Sequence, residues 1–210
     1  MLSNALACGS LTHTRILSRV RKAALVNTFA PRGTVRCLGD AVFRTKAARD
    51  AACLWDLDGS VIGRRCLPEV TVRNKQHHVP DFTIERVSGI TFVDVVPIDG
   101  PSPPKWAADA SEKSGRRYTT FLEASFNEDR RLENARELLR YAAYPVPLRD
   151  RARFLAFLDE HGSASLATCI SIFRNALDPV GAVASLALQR FVEMDIDEAR
   201  LGTDTIVCRL

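Results

Sequence analysis

The sequence lacks the features that define several protein classes. No apolar run reaches the roughly 18 to 20 residues of a membrane-spanning helix, and no collagen-like repeat occurs. The chain contains no Walker lysine loop, no glycine-rich dinucleotide turn and no serine elbow. Its six cysteines form no CxxC pair and no Cys/His spacing typical of zinc. We therefore expect a protein of the reducing cytoplasm, not inserted in a membrane, with buried free thiols.

Acidic residues are absent from the first 39 positions, a segment that carries six cations. These are Arg15, Arg19, Arg21, Lys22, Arg32 and Arg36. The chain as a whole carries a net charge of +4, so the rest of it is net acidic. Residues 1–39 fit either a flexible, solvated basic arm or an arm that binds phosphate groups. A transit peptide has similar composition, but the length and the lack of a clean amphipathic arginine face disfavour it.

Residues 40–146 alternate between helical and strand patterns. A helix is predicted over residues 40–55 with Asp40 as its N-cap, and strands over 69–73, 79–85 and 91–96. The turn composition of residues 86–89 joins the last two strands as a hairpin. A helix over 107–113, a strand over 118–123 and a helix over about 128–144 follow. This order predicts an α/β domain with a mixed sheet and flanking helices.

Two prolines, Pro145 and Pro147, predict a domain boundary, and the pattern changes after them. Residues 147–210 read as three helices followed by a short hairpin, the order of a winged helix-turn-helix. Residues 151–210 are net acidic, and the helix over 178–190 has no Arg, Lys, Asn or Gln near its start. Readers of the DNA major groove need such side chains there. We therefore predict that this domain docks protein or braces the first domain.

Two aspartates of the predicted hairpin are the leading candidates for chemistry. Asp81 and Asp94 lie thirteen residues apart on strands that are expected to pair. Carboxylates that converge at a sheet edge suit Mg²⁺, which prefers oxygen ligands and leaves positions open for phosphate. Other aspartate pairs on hairpins hold no metal, so spacing alone leaves this open.

The motifs around these aspartates resemble a known family. Eight segments occur in order: DGSV (58–61), LP (67–68), PDF (80–82), DVV (94–96), FLE (121–123), RLENARELLR (131–140), VEMDID (192–197) and GTDTIV (202–207). Their order and spacing resemble TnsA-type endonuclease subunits of heteromeric transposons, from about residue 36 onwards. The resemblance implies a restriction-endonuclease-like PD-(D/E)xK domain and a C-terminal winged helix. It also implies three partners: DNA, an RNase H-like transposase and an AAA+ regulator.

Two positions depart from the family pattern. Counting back from Pro68 without gaps, the family's helix glutamate falls on Arg44, and Val96 stands where its catalytic lysine is expected. A lysine at that position stabilises developing negative charge, which valine cannot do. Asp40 is a candidate replacement acid, although its N-cap role is favoured. Lys75 and Lys105 are candidate replacement lysines.

We therefore expect a transposition protein that binds DNA ends and its partner transposase through a decayed nuclease centre, without a cofactor. The alternative is an active Mg²⁺-dependent endonuclease in which Asp81 and Asp94 hold the metal. A stand-alone regulator that reads DNA through the winged helix is a third, less favoured interpretation. The predicted DNA contacts are Arg15, Arg19, Arg21, Lys22, Arg32, Arg36, Arg44 and Lys46.

Two further features have competing interpretations. His77 and His78 precede the PDF motif and suit a general base, but solvated surface histidines are the favoured interpretation. Between them His77 is preferred, because three-residue spacing in one strand would turn His78 away from Asp81. The arginines of residues 130–140 form either a phosphate ridge or ion pairs with interleaved acids, and the interleaving favours ion pairs.

Overall fold

The computed structural model describes residues 3–27 and 33–210, with side chains from residue 11 onwards. The α-helices are α1 (Ser3–Ala24), α2 (Lys46–Leu57), α3 (Ala107–Lys113), α4 (Arg130–Leu139), α5 (Leu148–His161), α6 (Leu166–Ser171) and α7 (Pro179–Leu188). The strands are β1 (Val61–Cys66), β2 (Thr71–Arg73), β3 (Gln76–His78), β4 (Phe82–Arg86), β5 (Gly89–Val96), β6 (Arg117–Leu122), β7 (Ser163–Ser165), β8 (Val192–Met194) and β9 (Ile206–Arg209).

The described residues form two compact units. The first contains residues up to 27 and 36–127, and the second contains 33–35 and 128–210. The boundary therefore precedes α4, whereas the sequence placed it after the helix, at Pro145 and Pro147. The earlier boundary has a physical cause in Asn134 of α4, which bonds to the last part of the chain. Its amide donates to the carbonyls of Ile196 (2.9 Å) and Ala199 (2.7 Å) and accepts from the Leu201 N–H (3.1 Å).

The first unit is built on a four-stranded sheet in the order β1-β4-β5-β6. β1, β4 and β5 pair antiparallel, and β6 joins β5 parallel. The sheet is therefore mixed, and the predicted α/β class is confirmed. The predicted hairpin is β4-β5, whose tight turn ends at Gly89 with a φ of +116°, a conformation that favours glycine. Sequence analysis missed β1, in which Arg64 is buried.

Helix α2 covers the sheet and begins later than the sequence predicted. Its N-cap is Thr45, whose hydroxyl accepts from the Ala48 N–H at 3.1 Å, whereas Asp40 is exposed and lies before the helix. The predicted cap was wrong because a capping side chain lies two or three residues before the N–H group that it accepts from. Asp40 is too far from the first free N–H groups of a helix that begins at Lys46. Trp55 of α2 packs edge-on against Phe82 of the sheet, with ring centroids 5.0 Å apart.

Residues 3–24 of the predicted arm form helix α1, whereas residues 25–27 and 33–39 lie outside helices and named strands. Within α1, Arg21 donates to the Leu67 carbonyl at 3.1 Å, which ties the helix to the end of β1. Arg15, Arg19 and Lys22 are exposed and recur at helical spacing, so they share one face. Predicted contact residue Arg32 lies outside the described residues.

The second unit combines helices with a three-stranded antiparallel sheet in the order β7-β9-β8. From the preferences of helix starts, the sequence predicts N-caps at Ser163 or Ser165 and at Asp178. The structure has Ser165, which accepts from the Thr168 N–H (3.3 Å), and Asp178, which accepts from the Gly181 N–H (3.0 Å). The third strand, β7, was not predicted. Asp150 of α5 is fully buried and accepts hydrogen bonds from the backbone of residues 174–176 and from Arg153.

The expectations about membrane insertion and free thiols can be compared with the described part of the chain. None of the helices described there is long and apolar enough to cross a membrane. The cysteines with described side chains, which exclude Cys8, are free thiols: Cys53, Cys66 and Cys169 are buried, and Cys37 and Cys208 are half-buried.

Candidate functional site

The β4-β5 hairpin brings Asp81 and Asp94 together. Phe82 pairs with Val93, so Asp81 at the start of β4 lies beside Asp94 of β5. The Asp81 N–H donates to Asp94 Oδ1 at 3.1 Å, and the Val95 N–H donates to Asp81 Oδ2 at 2.9 Å. Both aspartates are buried, with exposed fractions of 6% and 2%. The register of one hairpin thus creates a compact pair of buried carboxyl groups.

A guanidinium group bridges the two carboxyl groups. Arg44 Nε donates to Asp81 Oδ1 at 2.8 Å, and its Nη2 lies 3.1 Å from Asp94 Oδ1. Arg44 directly precedes the N-cap of α2, and its carbonyl accepts a hydrogen bond from the Asn27 amide. Its side chain remains 32% exposed. The cation is therefore held between the aspartates while one side of it faces solvent.

The remaining oxygen of Asp94 has two further partners. His78 Nε2 and the Tyr118 hydroxyl each lie 2.6 Å from Asp94 Oδ2, and both donate because a carboxylate only accepts. Of the two histidines it is His78 that contacts the carboxyl cluster, whereas His77 is exposed, as the favoured interpretation of solvated histidines predicts, and lies against the ring of His13. The spacing argument failed because β3 ends at His78, so His78 and Asp81 do not share a strand. Tyr118 of β6 was not identified from the sequence.

The electrostatics of the two aspartates differ. Burial raises the pKa of Asp81, and the neighbouring Asp94 adds to this against the opposing effect of Arg44. Burial also opposes ionisation of Asp94, but the donors His78 and Tyr118 and the charge of Arg44 outweigh it and lower its pKa. Burial and the hydrogen bond to Asp94 raise the pKa of Tyr118, so it stays a donor at neutral pH. Asp94 therefore has the lower pKa of the two, and Asp81 is the first to take up a proton as pH falls.

The fit of Mg²⁺ can be judged from these contacts. Each of the four carboxyl oxygens already accepts at least one hydrogen bond from the protein, and Arg44 holds one oxygen of each residue. Mg²⁺ requires near-ideal octahedral coordination by oxygen and repels a neighbouring guanidinium. Within the described chain, no group of three or more His, Cys, Asp or Glu residues is arranged to hold a metal ion. The arrangement therefore does not fit the predicted Mg²⁺ site.

The other candidate residues lie outside the carboxyl cluster. The site opens into a cleft of about 290 Å³, walled by Pro97, Pro101, Pro103 and Pro104. Neither Lys75 nor Lys105 is among the described residues that line this cleft, so neither replaces the missing lysine there. Val96 is half-buried at the end of β5, opposite Leu122 of β6.

Predicted DNA-contact residues are distributed over the first unit. Lys46 is exposed at the start of α2, two positions from Arg44. Arg36 is half-buried, and its N–H donates to Asp56. Arg21 is engaged with Leu67, whereas the face of Arg15, Arg19 and Lys22 is exposed.

In the second unit, ion pairing explains part of the arginine series of α4. Arg130 pairs with Glu133, and Arg140 pairs with Glu137 at 3.0 Å. Most of α7, the predicted recognition helix, is buried inside this unit. Core packing therefore accounts for its apolar sequence, and a docking surface on that helix is not needed to explain it.

Comparison with known proteins does not identify a family for this chain. No protein-family model matches the chain, and no curated protein matches it either. The resemblance to TnsA-type subunits therefore remains a prediction that the short motifs carry.

Proposed function

We propose that this chain is a TnsA-like transposition protein that binds DNA without cutting it. In this proposal the first unit is a restriction-endonuclease-like domain and the second is a winged helix domain. The observation that carries it is Arg44, which pairs with both Asp81 and Asp94 at the position of the family's metal-binding glutamate.

The chemistry of phosphodiester hydrolysis explains why this contact matters. A metal-dependent nuclease uses free carboxylate oxygens to hold the cation that generates the nucleophile and stabilises the transition state. In this cluster those oxygens accept hydrogen bonds from Arg44, His78, Tyr118 and the backbone. A guanidinium neutralises the carboxylates but does not activate water, because its pKa is too high to exchange protons near neutrality. The cluster therefore has the character of a structural ion network.

DNA binding is assigned to the basic face of α1. Arg15, Arg19 and Lys22 are exposed on one face and span about 10 Å along the helix. This length covers about three phosphates of one DNA strand, at 3.4 Å per phosphate along the axis. No acidic residue precedes Asp40 to neutralise this face locally. Lys46 and the exposed side of Arg44 provide two further basic groups at the start of α2, which we also assign to DNA.

The second unit is assigned to partner binding. Arginines of α4 are paired with acids, and α7 is largely buried, so this unit offers little basic surface for DNA. An RNase H-like transposase and an AAA+ regulator are the partners that the resemblance implies, in the cytoplasm.

The test is the salt dependence of DNA binding. Replacing Arg15, Arg19 and Lys22 by alanine removes up to three phosphate contacts, so the slope of log K against log salt should fall by about 2.7. The control replaces Arg130 and Arg140 of α4, which are paired with glutamates, and should leave the slope unchanged. An unaltered slope in the α1 variant, with the fold intact by circular dichroism, would remove the assigned surface.

A further inference from the structure

A pair of thiols lies outside the carboxyl cluster. Cys37 Sγ and Cys66 Sγ are 3.8 Å apart, within hydrogen-bonding distance for sulfur. Backbone hydrogen bonds hold the two segments together: the Arg64 N–H donates to the Arg36 carbonyl (2.8 Å), and the Leu38 N–H to the Arg64 carbonyl (2.7 Å). Cys37 therefore lies opposite Arg64, and Cys66 lies two residues further along the same face of β1.

The two thiols differ in access to solvent. Cys37 is half-buried, whereas Cys66 is only 2% exposed. A reagent dissolved in water therefore meets Cys37 first. Cys66 lies behind it, at the distance of a resolving thiol that captures an oxidised partner.

A buried cation supports this division of roles. Arg64 Nη1 lies 3.4 Å from Cys66 Sγ, and Arg64 pairs with Asp56 of α2 at 3.0 Å. The hydrogen bond from Cys66, helped by the positive charge of Arg64, lowers the pKa of Cys37 to about 7 against the opposing effects of burial and Asp56. The same hydrogen bond and burial raise the pKa of Cys66. Cys37 is therefore the more readily ionised thiol of the pair, and Cys66 is the one that stays protonated.

We propose that Cys37 and Cys66 form a reversible disulfide on reaction with a hydroperoxide, with Cys37 as the attacking thiol. The Cys37 thiolate attacks one peroxide oxygen, the O–O bond breaks, and hydroxide leaves, which gives a sulfenic acid. Cys66 then attacks the Cys37 sulfur and displaces the hydroxyl group as water, forming the S–S bond. Overall, two thiols are oxidised and hydrogen peroxide is reduced to two water molecules. A small-molecule dithiol reduces the disulfide back to the two thiols and is itself oxidised to a cyclic disulfide.

The short distance between the two sulfurs favours the disulfide over further oxidation of Cys37 to sulfinic or sulfonic acid. Sulfurs in a disulfide are about 2.05 Å apart, so side-chain rotation must close less than about 2 Å. The short distance gives the sulfenic acid an internal partner, which protects Cys37 from irreversible oxidation. Cys66 also adjoins Leu67, whose N–H donates to the Asp81 carbonyl at 2.8 Å. The disulfide would therefore form next to Leu67, which is hydrogen-bonded to Asp81 of the carboxyl cluster.

The experiment treats the full chain, in a Cys8→Ser background, with hydrogen peroxide at pH 7. Peptide mapping by mass spectrometry without reduction should show a Cys37–Cys66 peptide pair that a dithiol removes. Cys208 is the matched control, since it is also half-buried but has no described thiol partner. Thiol labelling of Cys37 should be severalfold faster than that of Cys208 at pH 7, because the lowered pKa of Cys37 increases its thiolate fraction by more than it decreases the nucleophilicity of that thiolate.

The variant Cys66→Ser separates the two steps. In it, Cys37 should still react and accumulate as a sulfenic acid that a cyclic 1,3-diketone traps. A peptide map of the Cys8→Ser chain without the Cys37–Cys66 pair after peroxide, or with Cys37 and Cys208 oxidised alike to sulfinic acid, would overturn the proposal. This map decides the matter even if Cys66→Ser fails to fold.

Discussion

Removing the Arg44 guanidinium is the most informative single change in the carboxyl cluster. The variant Arg44→Met keeps most of the aliphatic stem but leaves Asp81 and Asp94 as two buried carboxyl groups without a bridging cation. Breaking a buried ion pair from one side costs about 3–5 kcal/mol. Because Arg44 is 32% exposed, water compensates part of this, and we expect a loss of about 2–3 kcal/mol. That loss lowers the midpoint of thermal unfolding by roughly 4–12 °C.

The loss of stability in Arg44→Met should depend on pH. Burial already raises the pKa of Asp81, and loss of Arg44 removes an effect that lowers it. A carboxyl whose pKa is higher in the folded state is stabilising when protonated, and that stability is lost as pH rises through the folded pKa. The difference between Arg44→Met and wild type should therefore be small near pH 4 and full near pH 8.

The matched control is Arg86→Met. Arg86 is 30% exposed, like Arg44, but it pairs with the single, partly exposed Asp58. We expect a loss below about 1 kcal/mol for this surface pair. Differential scanning calorimetry of the wild type and both variants at two pH values makes the comparison. Equal losses in both variants, or a loss in Arg44→Met that does not depend on pH, would refute the reasoning.

Divalent cations extend the same test. In Arg44→Met the carboxyl oxygens that faced the guanidinium become available, so Mg²⁺ or Mn²⁺ should raise its unfolding temperature and leave wild type and Arg86→Met unchanged. Stabilisation of the wild type to the same extent would mean that Arg44 does not exclude the metal.

Three further predictions concern individual hydrogen bonds. Tyr118→Phe removes one of the two donors to Asp94 Oδ2 and should lower the free energy of unfolding by about 1.5–3 kcal/mol in urea titrations. Asn134→Ala leaves two carbonyls and one N–H of the second unit without their partner and should lower the free energy of unfolding by about 2–4 kcal/mol. A loss below about 0.5 kcal/mol would contradict the stabilising role of the Asn134 amide. Despite burial, hydrogen bonds from the backbone of Asn175 and its neighbours lower the pKa of Asp150 to about 2, so its stabilisation is present above the unfolded pKa near 4 and is lost as pH falls toward 2. Asp150→Asn should flatten that acid limb of the stability profile.

The sequence was informative wherever a local rule determined the structure. Hairpin pairing follows from turn composition and alternation, and it brings Asp81 near Asp94. The caps Ser165 and Asp178 followed from the chemistry of helix N-termini. Each of these inferences depends on residues close together in the chain, for which spacing fixes geometry.

Contacts between distant residues were beyond the same reasoning. The sequence marked Arg44 as a departure from the family pattern, but its bonds span 37 and 50 residues and depend on how α2 lies on the sheet. The contact between Tyr118 and Asp94 requires the parallel pairing of β6 with β5, which spacing does not specify. Strand β1 was missed because Arg64 interrupts its apolar pattern, and its burial depends on Asp56 of another element.

The central proposal is that Arg44 lies between Asp81 and Asp94 where a nuclease of the proposed family would hold a metal, and that the protein therefore binds DNA without cutting it. The most direct measurement incubates the purified wild-type chain, alone and with the proposed partner transposase, with transposon-end DNA and Mg²⁺ or Mn²⁺. We predict a retarded DNA–protein complex and intact strands on a denaturing gel. Strand cleavage that disappears in Asp81→Ala would contradict the account.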